Sequence, residues 1–228
     1  MTKPQIFLSI LFIATLSGAA RAQEAADFFH QNCASCHTIG GGRLTGPDLQ
    51  GVEERRDRRW LTNFMLDPPA MLVSGDPYVL EMQQEARGVV MPRIAGLDLA
   101  RAEALLDLIQ IEGTKPDSRF KGVQISDQPF TAADIASGEA LFLGVQRLAN
   151  GGPACVSCHT VSGIQGLGGG RLGPDLTKVF ERLQGRKSLS AWLFAPATIT
   201  MQPVFRAHPL TPEEIPPLVA LFENAAQG

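Results

Sequence analysis

The pattern of apolar and polar residues along the chain predicts a fold built from short helices. Apolar residues recur at the three- and four-residue spacing of an amphipathic helix, most clearly at 99–111, where Leu105, Leu106, Leu108 and Ile109 form one stripe. Alternating apolar and polar residues, which are typical of strands, are scarce. The predicted fold class is therefore all-α. Helices are expected at residues 24–32, 55–66, 76–87, 99–111, 131–145, 176–183, 189–194 and 211–223.

Residues that favour helix ends support several of these boundaries. Thr131 is followed after three residues by Asp134, and Thr211 is followed in the same way by Glu214, as in an N-terminal capping box. Two consecutive prolines after residue 66 are expected to end the second helix. The capping pairs place the start of one helix at 131 and the start of the last helix at 211.

One pattern occurs twice in the chain. Residues 40–49 read Gly-Gly-Gly-Arg-Leu-Thr-Gly-Pro-Asp-Leu, and residues 168–176 read Gly-Gly-Gly-Arg-Leu-Gly-Pro-Asp-Leu. After each loop a stretch rich in arginine and glutamate leads to Trp60-Leu61 or Trp192-Leu193, then to a methionine near a proline and a final amphipathic helix. An internal repeat of this kind indicates two copies of one structural unit.

The chain length is consistent with this repeat, because 228 residues suit two domains of about 100 residues each. The polar stretch 112–130 holds two prolines and two glycines and has no strong period, so it is expected to be the linker. The predicted domains are residues 23–111 and 131–228.

The first 22 residues have the features of a signal peptide. Lys3 precedes an apolar run at Ile6–Leu16, and Ala20-Arg21-Ala22 is a small-x-small cleavage site. The run is too short to span a bilayer, which takes about 20 residues. We expect cleavage after Ala22 and no transmembrane segment in the mature chain. An uncleaved N-terminal anchor is the alternative.

Charge and composition exclude some partner classes. The net charge is −3, and removal of the signal peptide takes away Lys3 and Arg21, which leaves −5. An acidic chain has no electrostatic attraction to nucleic acid or to an anionic membrane surface. We therefore expect neither as a partner.

All four cysteines belong to two copies of a Cys-x-x-Cys-His motif, which is the attachment signature for c-type haem. Residues i and i+3 of a helical turn share a face, so both thiols can reach the two vinyl groups of one porphyrin. The adjacent histidine can then approach the iron as its proximal ligand. The motifs predict two covalently bound haem c groups, at Cys33, Cys36 and His37 and at Cys155, Cys158 and His159.

Two other functions use Cys-x-x-Cys pairs. A zinc site would require the pairs to converge across more than a hundred residues, whereas zinc ribbons keep them within about 15–20 residues. A thioredoxin-like dithiol needs no histidine after the second cysteine, and no βαβ pattern surrounds either pair. Haem attachment is the better interpretation.

These features together resemble the class I cytochrome c family, twice over. The resemblance lies in an aromatic-bearing helix with Phe28 and Phe29 before the first motif, Gly-Pro-Asp-Leu after each motif, and a methionine before a final helix. It covers nearly all of the mature chain. The second half departs from the family pattern by a long insertion between Phe142 and Cys155 and a glycine-rich loop after His159. The resemblance implies two tandem class I domains, each wrapped around one haem.

The resemblance also implies a methionine sulfur as the distal ligand, which raises the reduction potential. In the first half Met91 has the family-like position, and Met65, Met71 and Met82 are alternatives. In the second half the expected ligand is Met201, and a histidine ligand, His208, is its rival.

Further site residues follow from the loops. Pro47 and Pro174 resemble the family proline whose carbonyl accepts a hydrogen bond from the proximal imidazole, a contact that orients the ring. Arg43 and Arg171 each follow three glycines and could pair with a haem propionate. The indole N–H groups of the two tryptophans could do the same, although helix-borne aromatics more often pack in a core.

The sequence therefore predicts an exported, periplasmic dihaem cytochrome that transfers single electrons between redox partners. It would be a diffusing shuttle or the electron-transfer subunit of a larger oxidoreductase. The alternative is a dihaem enzyme with one open haem site, peroxidase-like or acting on sulfur compounds. An electron carrier is favoured over a catalyst because each half offers a methionine to close its iron.

Overall fold

The computed structural model describes residues 20–164 and 169–228, and within these ranges the chain is helical and contains no strand. Most of the predicted signal peptide lies outside the described residues. The first helix, α1, is helical from 20 to 32 in the described range. The others are α2 (Val52–Arg55), α3 (Arg58–Leu66), α4 (Pro68–Val73), α5 (Pro77–Glu85), α6 (Leu99–Gly113), α7 (Ala132–Leu143), α8 (Val179–Arg182), α9 (Arg186–Phe194), α10 (Met201–Ala207) and α11 (Ile215–Gln227).

Aspartate caps set the helix boundaries in the first half. The helix predicted at 55–66 is two helices, because Arg56 is extended and the Asp57 side chain accepts a hydrogen bond from the backbone of Trp60 to start α3. Asp67 ends α3 and caps α4, whose first residue is Pro68. The double proline thus ends one helix and begins another, which was not predicted.

Two predictions for the second half differ in outcome. Thr131 and Asp134 form the expected capping box at the start of α7. The last regular helix begins at Ile215, four residues after Thr211, but the Glu214 side chain does accept a hydrogen bond from the Thr211 backbone N–H, which is one of the two bonds of the predicted capping box. Its other carboxylate oxygen accepts from the backbone N–H of Ala149, so this buried glutamate also anchors the insertion loop.

Each half has its own apolar core. In the first, the stripe of α6 packs on α1 and α3, with Phe29, Ile39 and Leu61 among the buried residues. In the second, α7 lies against α11, and a Cβ at Gly138 would come within 2.1 Å of the Pro217 carbonyl oxygen. Only glycine permits this approach.

The segment predicted as the linker packs against both cores. Phe120 is buried in the first core with its ring centroid 4.7 Å from that of Phe29, in an edge-on arrangement. Val123, Ile125 and Phe130 pack against the second core. The residues between 112 and 130 therefore hold the halves together as well as connecting them.

Arg58 ties α3 to α6. Its guanidinium contacts Glu53, Glu103 and Asp107, and it also donates to the Glu103 carbonyl oxygen at 2.8 Å. The hydrogen bond that Arg58 Nε donates to the Glu103 carboxylate is the main reason that the pKa of Arg58 is raised. The side chain is about one-third exposed, so solvent screens these pairs only in part.

We expect Arg58→Met to lower the free energy of unfolding by about 1–2 kcal/mol, because a charged network is lost while the aliphatic stem is kept. Urea unfolding followed by circular dichroism measures the effect. The matched control is Arg93→Met, which removes the exposed Arg93–Asp67 pair and should change stability little. Equal losses in the two variants would contradict the special role of Arg58.

Candidate functional site

A cavity of about 360 Å³ lies in the first half, enclosed mainly by apolar side chains. Cys33, Cys36 and His37 line it, together with Phe29 and Leu106 from the core. Both thiols and the imidazole of the first motif therefore face one cavity. The cavity also brings together residues from α1, α3, α5 and α6.

The first motif forms a tight turn after α1. The backbone N–H groups of Cys36 and His37 both donate to the Cys33 carbonyl oxygen, at 3.0 and 2.9 Å. This turn places residues three apart on the same side. It accounts for the joint access of both thiols to the cavity.

Contacts on both sides orient the His37 ring. Its Nδ1 donates a 2.8 Å hydrogen bond to the Pro47 carbonyl oxygen, which leaves the Nε2 lone pair available to a metal. A Cβ at Gly46 would lie 2.3 Å from His37 Cε1, so the loop can cross the ring only at a glycine. Burial lowers the pKa of His37, although the Pro47 hydrogen bond opposes this. A neutral imidazole in this orientation is suited to ligate iron.

The same arrangement recurs around His159. Its backbone N–H donates to the Cys155 carbonyl oxygen at 2.9 Å, and its Nδ1 donates to the Pro174 carbonyl oxygen at 2.8 Å. A Cβ at Gly173 would lie 2.2 Å from His159 Cε1. The ring is buried, at 7% exposure. The prolines predicted to contact the histidines make these contacts in both halves.

Arginines that the sequence analysis did not single out close the loops after both motifs. Arg55 Nη2 donates to the Asp48 carbonyl oxygen at 2.6 Å, and Arg182 Nη2 donates to the Asp175 carbonyl oxygen at 2.9 Å. Each arginine stands seven residues after its aspartate, and that equal spacing was the available sequence signal. Arg55 also lines the cavity, so it supplies a cation there.

None of the four cysteines forms a disulfide. Burial raises the pKa of the Cys33 thiol to about 12 and that of the Cys155 thiol to about 11. No group of three or more His, Cys, Asp or Glu that could hold a metal ion occurs in residues 20–164 and 169–228. The two cysteine pairs therefore do not converge on one zinc site.

The candidate distal methionines differ in position. Met65, Met82 and Met91 line the first cavity, whereas Met71 is not among the described residues that do so. In the second half, Met201 begins α10 and packs, partly buried, against the second core.

The alternative histidine, His208, directly follows α10 and packs against the insertion between Phe142 and Cys155. Its Nδ1 donates to the Asn150 carbonyl oxygen at 2.8 Å, and Gly152 lies against its ring. His37 and His159 make the same kind of Nδ1 contact, so this bond does not set His208 apart from a ligating histidine.

The predicted propionate partners have contacts of their own. Arg43 forms an ion pair with Glu85, and Arg171 is exposed. Trp60 lines the cavity, but its Nε1 donates to Asp76 at 3.0 Å, and its ring stacks on Phe64. The Trp60 indole N–H is therefore already used within the protein.

The residues fit a covalently held haem in the first half. The cavity is lined mainly by apolar side chains, and the two thiols of the motif lie on one turn at its wall. The His37 imidazole has its Nε2 available, and methionine sulfurs also line the wall. A c-type haem requires these attachment and ligand groups. The second half repeats the turn, the hydrogen bond from the imidazole to a proline carbonyl, and the close approach of a glycine to the histidine ring.

Comparison with protein families agrees with this site, because the family model described as cytochrome c matches residues 22–110. Among solved structures, cytochrome c from Rhodothermus marinus is 33% identical over 40% of this chain and 75% of its own, with a TM-score of 0.36. A cytochrome c domain of a Pseudomonas putida protein is 27% identical over 45% of this chain and 99% of its own, with a TM-score of 0.37. A search of curated proteins finds no match.

Residues 22–110 are therefore a cytochrome c domain. Such a domain implies a covalently bound haem c with iron, electron transfer and redox partners. In the parts of the chain that the structure describes, no helix is long and apolar enough to cross a membrane.

Proposed function

We propose that the protein is a dihaem c-type cytochrome with two tandem cytochrome c domains, at 23–111 and 131–228, that transfers single electrons between redox partner proteins. It works in the periplasm after removal of the signal peptide, as a shuttle or as the electron-transfer subunit of a larger oxidoreductase. The observation that carries the proposal is that the contacts around His37 recur around His159. Both histidines follow the same turn, donate from Nδ1 to a proline carbonyl oxygen, and have a glycine packed closely against the ring.

In this proposal the cysteines of each motif would hold one haem by thioether bonds, and the motif histidine would ligate its iron. Met91 and Met201 would supply the sulfur ligands. When bound, each haem iron supplies one-electron chemistry between its ferrous and ferric states. The residues expected to hold the two groups are Cys33, Cys36, His37 and Met91, and Cys155, Cys158, His159 and Met201.

The protein's own contribution is to fix and tune these ligands. The carbonyl oxygens of Pro47 and Pro174 hold the imidazoles in one orientation and raise their basicity as ligands. Methionine sulfur favours the reduced iron and raises the potential. Because three methionines line the first cavity, a closed iron suited to electron transfer is favoured over an open site for a substrate.

Counting the haems per chain tests the proposal. We expect the purified holoprotein to contain two covalently bound haems, measured by mass spectrometry and by the pyridine haemochrome spectrum. Cys155→Ala with Cys158→Ala should leave one haem, and Cys33→Ala with Cys36→Ala should leave the other. One haem in the unmodified protein, removed completely by the first-motif substitutions, would contradict a second haem site.

A further inference from the structure

The second half of the chain supplies part of the wall of the first cavity. Ala197 and Gln202 line this cavity beside residues of the first half. Just before them, Ala195 is buried in the first core, and the Phe194 ring lies edge-on to His30 with centroids 4.7 Å apart. The segment 194–202 therefore completes the first site.

Gln202 is bonded across this boundary. Its Nε2 donates a 2.8 Å hydrogen bond to the carbonyl oxygen of Gln31. Gln31 lies in α1, two residues before Cys33, and lines the same cavity. The Gln202 side chain thus bonds the cavity wall supplied by the second half to the end of α1, directly before the first motif.

Gln202 also adjoins the second site along the chain. It directly follows Met201, the proposed distal ligand of the second half, at the start of α10. One peptide bond and one side chain therefore separate that ligand from the first cavity. No such short covalent connection would exist if the wall were made by the first half alone.

We propose that Gln202 is the residue through which electrons pass between the two sites, an inference that rests on the proposed dihaem function. In this step one electron leaves the reduced site of one half and enters the oxidised site of the other, and no bond or proton moves. Electron tunnelling is more efficient along covalent and hydrogen bonds than across gaps. The path from Met201 through Gln202 to the first cavity and to Gln31 provides such bonds.

The test is the rate of electron exchange between the two sites in the dihaem holoprotein. One haem is reduced by a short radiolytic pulse, and the approach to equilibrium is followed spectroscopically at several protein concentrations. A rate independent of protein concentration belongs to exchange within one molecule. We expect Gln202→Leu and Gln202→Glu, which both lack the amide donor, to slow it several-fold.

The control is Gln184→Asn. Gln184 accepts a 2.6 Å hydrogen bond from Arg87 and also joins the halves, but neither residue lines the cavity. Its backbone φ of 62° is left-handed, a conformation that asparagine tolerates. We expect this variant to exchange electrons at the unmodified rate.

The outcomes are distinguishable. Two haems with unchanged exchange in both Gln202 variants would overturn the inference alone. Equal slowing in Gln184→Asn would also overturn it, because docking of the halves would then set the rate. A single haem per chain would overturn the proposed function itself, together with this inference. Haem spectra and circular dichroism establish that each variant is folded.

Discussion

Met91→Ala is expected to leave one of the two proposed haem irons without its methionine ligand, so that this iron is open to added ligands. If a methionine sulfur ligates each iron as proposed, the unmodified protein should bind no carbon monoxide when reduced. The proposed protein has one haem in each domain, so we expect about half of the haem in the variant to bind carbon monoxide. In the oxidised variant, the methionine-to-iron charge-transfer band should lose about half its intensity. The reduction potential of the opened site should fall, because the sulfur that favours ferrous iron is gone.

Met65→Ala and Met82→Ala are matched controls for this experiment, because both methionines line the same cavity. Each should cost stability as a packing defect, about 2–5 kcal/mol at most, and leave carbon monoxide binding unchanged. Opening of the iron by either control, with Met91→Ala still closed, would assign the ligand to that methionine instead. Carbon monoxide binding to the unmodified protein would favour the enzyme alternative.

Much of the fold followed from local signals in the sequence. The motif histidines and their proline partners were predictable because the haem motif and the loop after it lie within 20 residues of each other. The start of α7 was predictable because Thr131 and Asp134 satisfy each other locally. In contrast, α4 and α10 are short helices with proline inside or at their ends, and their apolar pattern is too brief to stand out.

The features that were missed depend on contacts between segments distant in the chain. Gln202 reaches Gln31 across 171 positions, and nothing in its local sequence indicates this. Glu214 bonds to Thr211 as the local capping pattern indicates, but its second bond, to Ala149 in the insertion before Cys155, spans 65 positions and has no local signal. The two glycines that cross the histidine rings could be noted as part of a turn, but the closeness of the ring required the folded loop.

Gly46→Ala and Gly173→Ala are expected to disturb one haem site each. The new methyl group would lie 2.3 Å from His37 Cε1 or 2.2 Å from His159 Cε1, well inside van der Waals contact. The ring or the loop must move, which strains the hydrogen bond to Pro47 or Pro174. We expect a loss of about 1–3 kcal/mol in the free energy of unfolding, the usual cost of adding a methyl group to a packed site.

Gly113→Ala is the control, since the nearest atom to its added methyl group would be 3.6 Å away, an ordinary contact. It should be neutral or slightly stabilising, because alanine restricts the unfolded chain more than glycine does. Chemical unfolding gives the stabilities, and the shift of the axial-ligand resonances in paramagnetic NMR shows which haem has changed. If Gly46→Ala and Gly173→Ala disturbed the same resonances, or only one of the two variants disturbed any, the equivalence of the two halves would be contradicted. Changes in two separate sets of resonances would mean that each loop holds its own ligated histidine, since a methyl group placed against an imidazole alters the field at the iron which that imidazole binds.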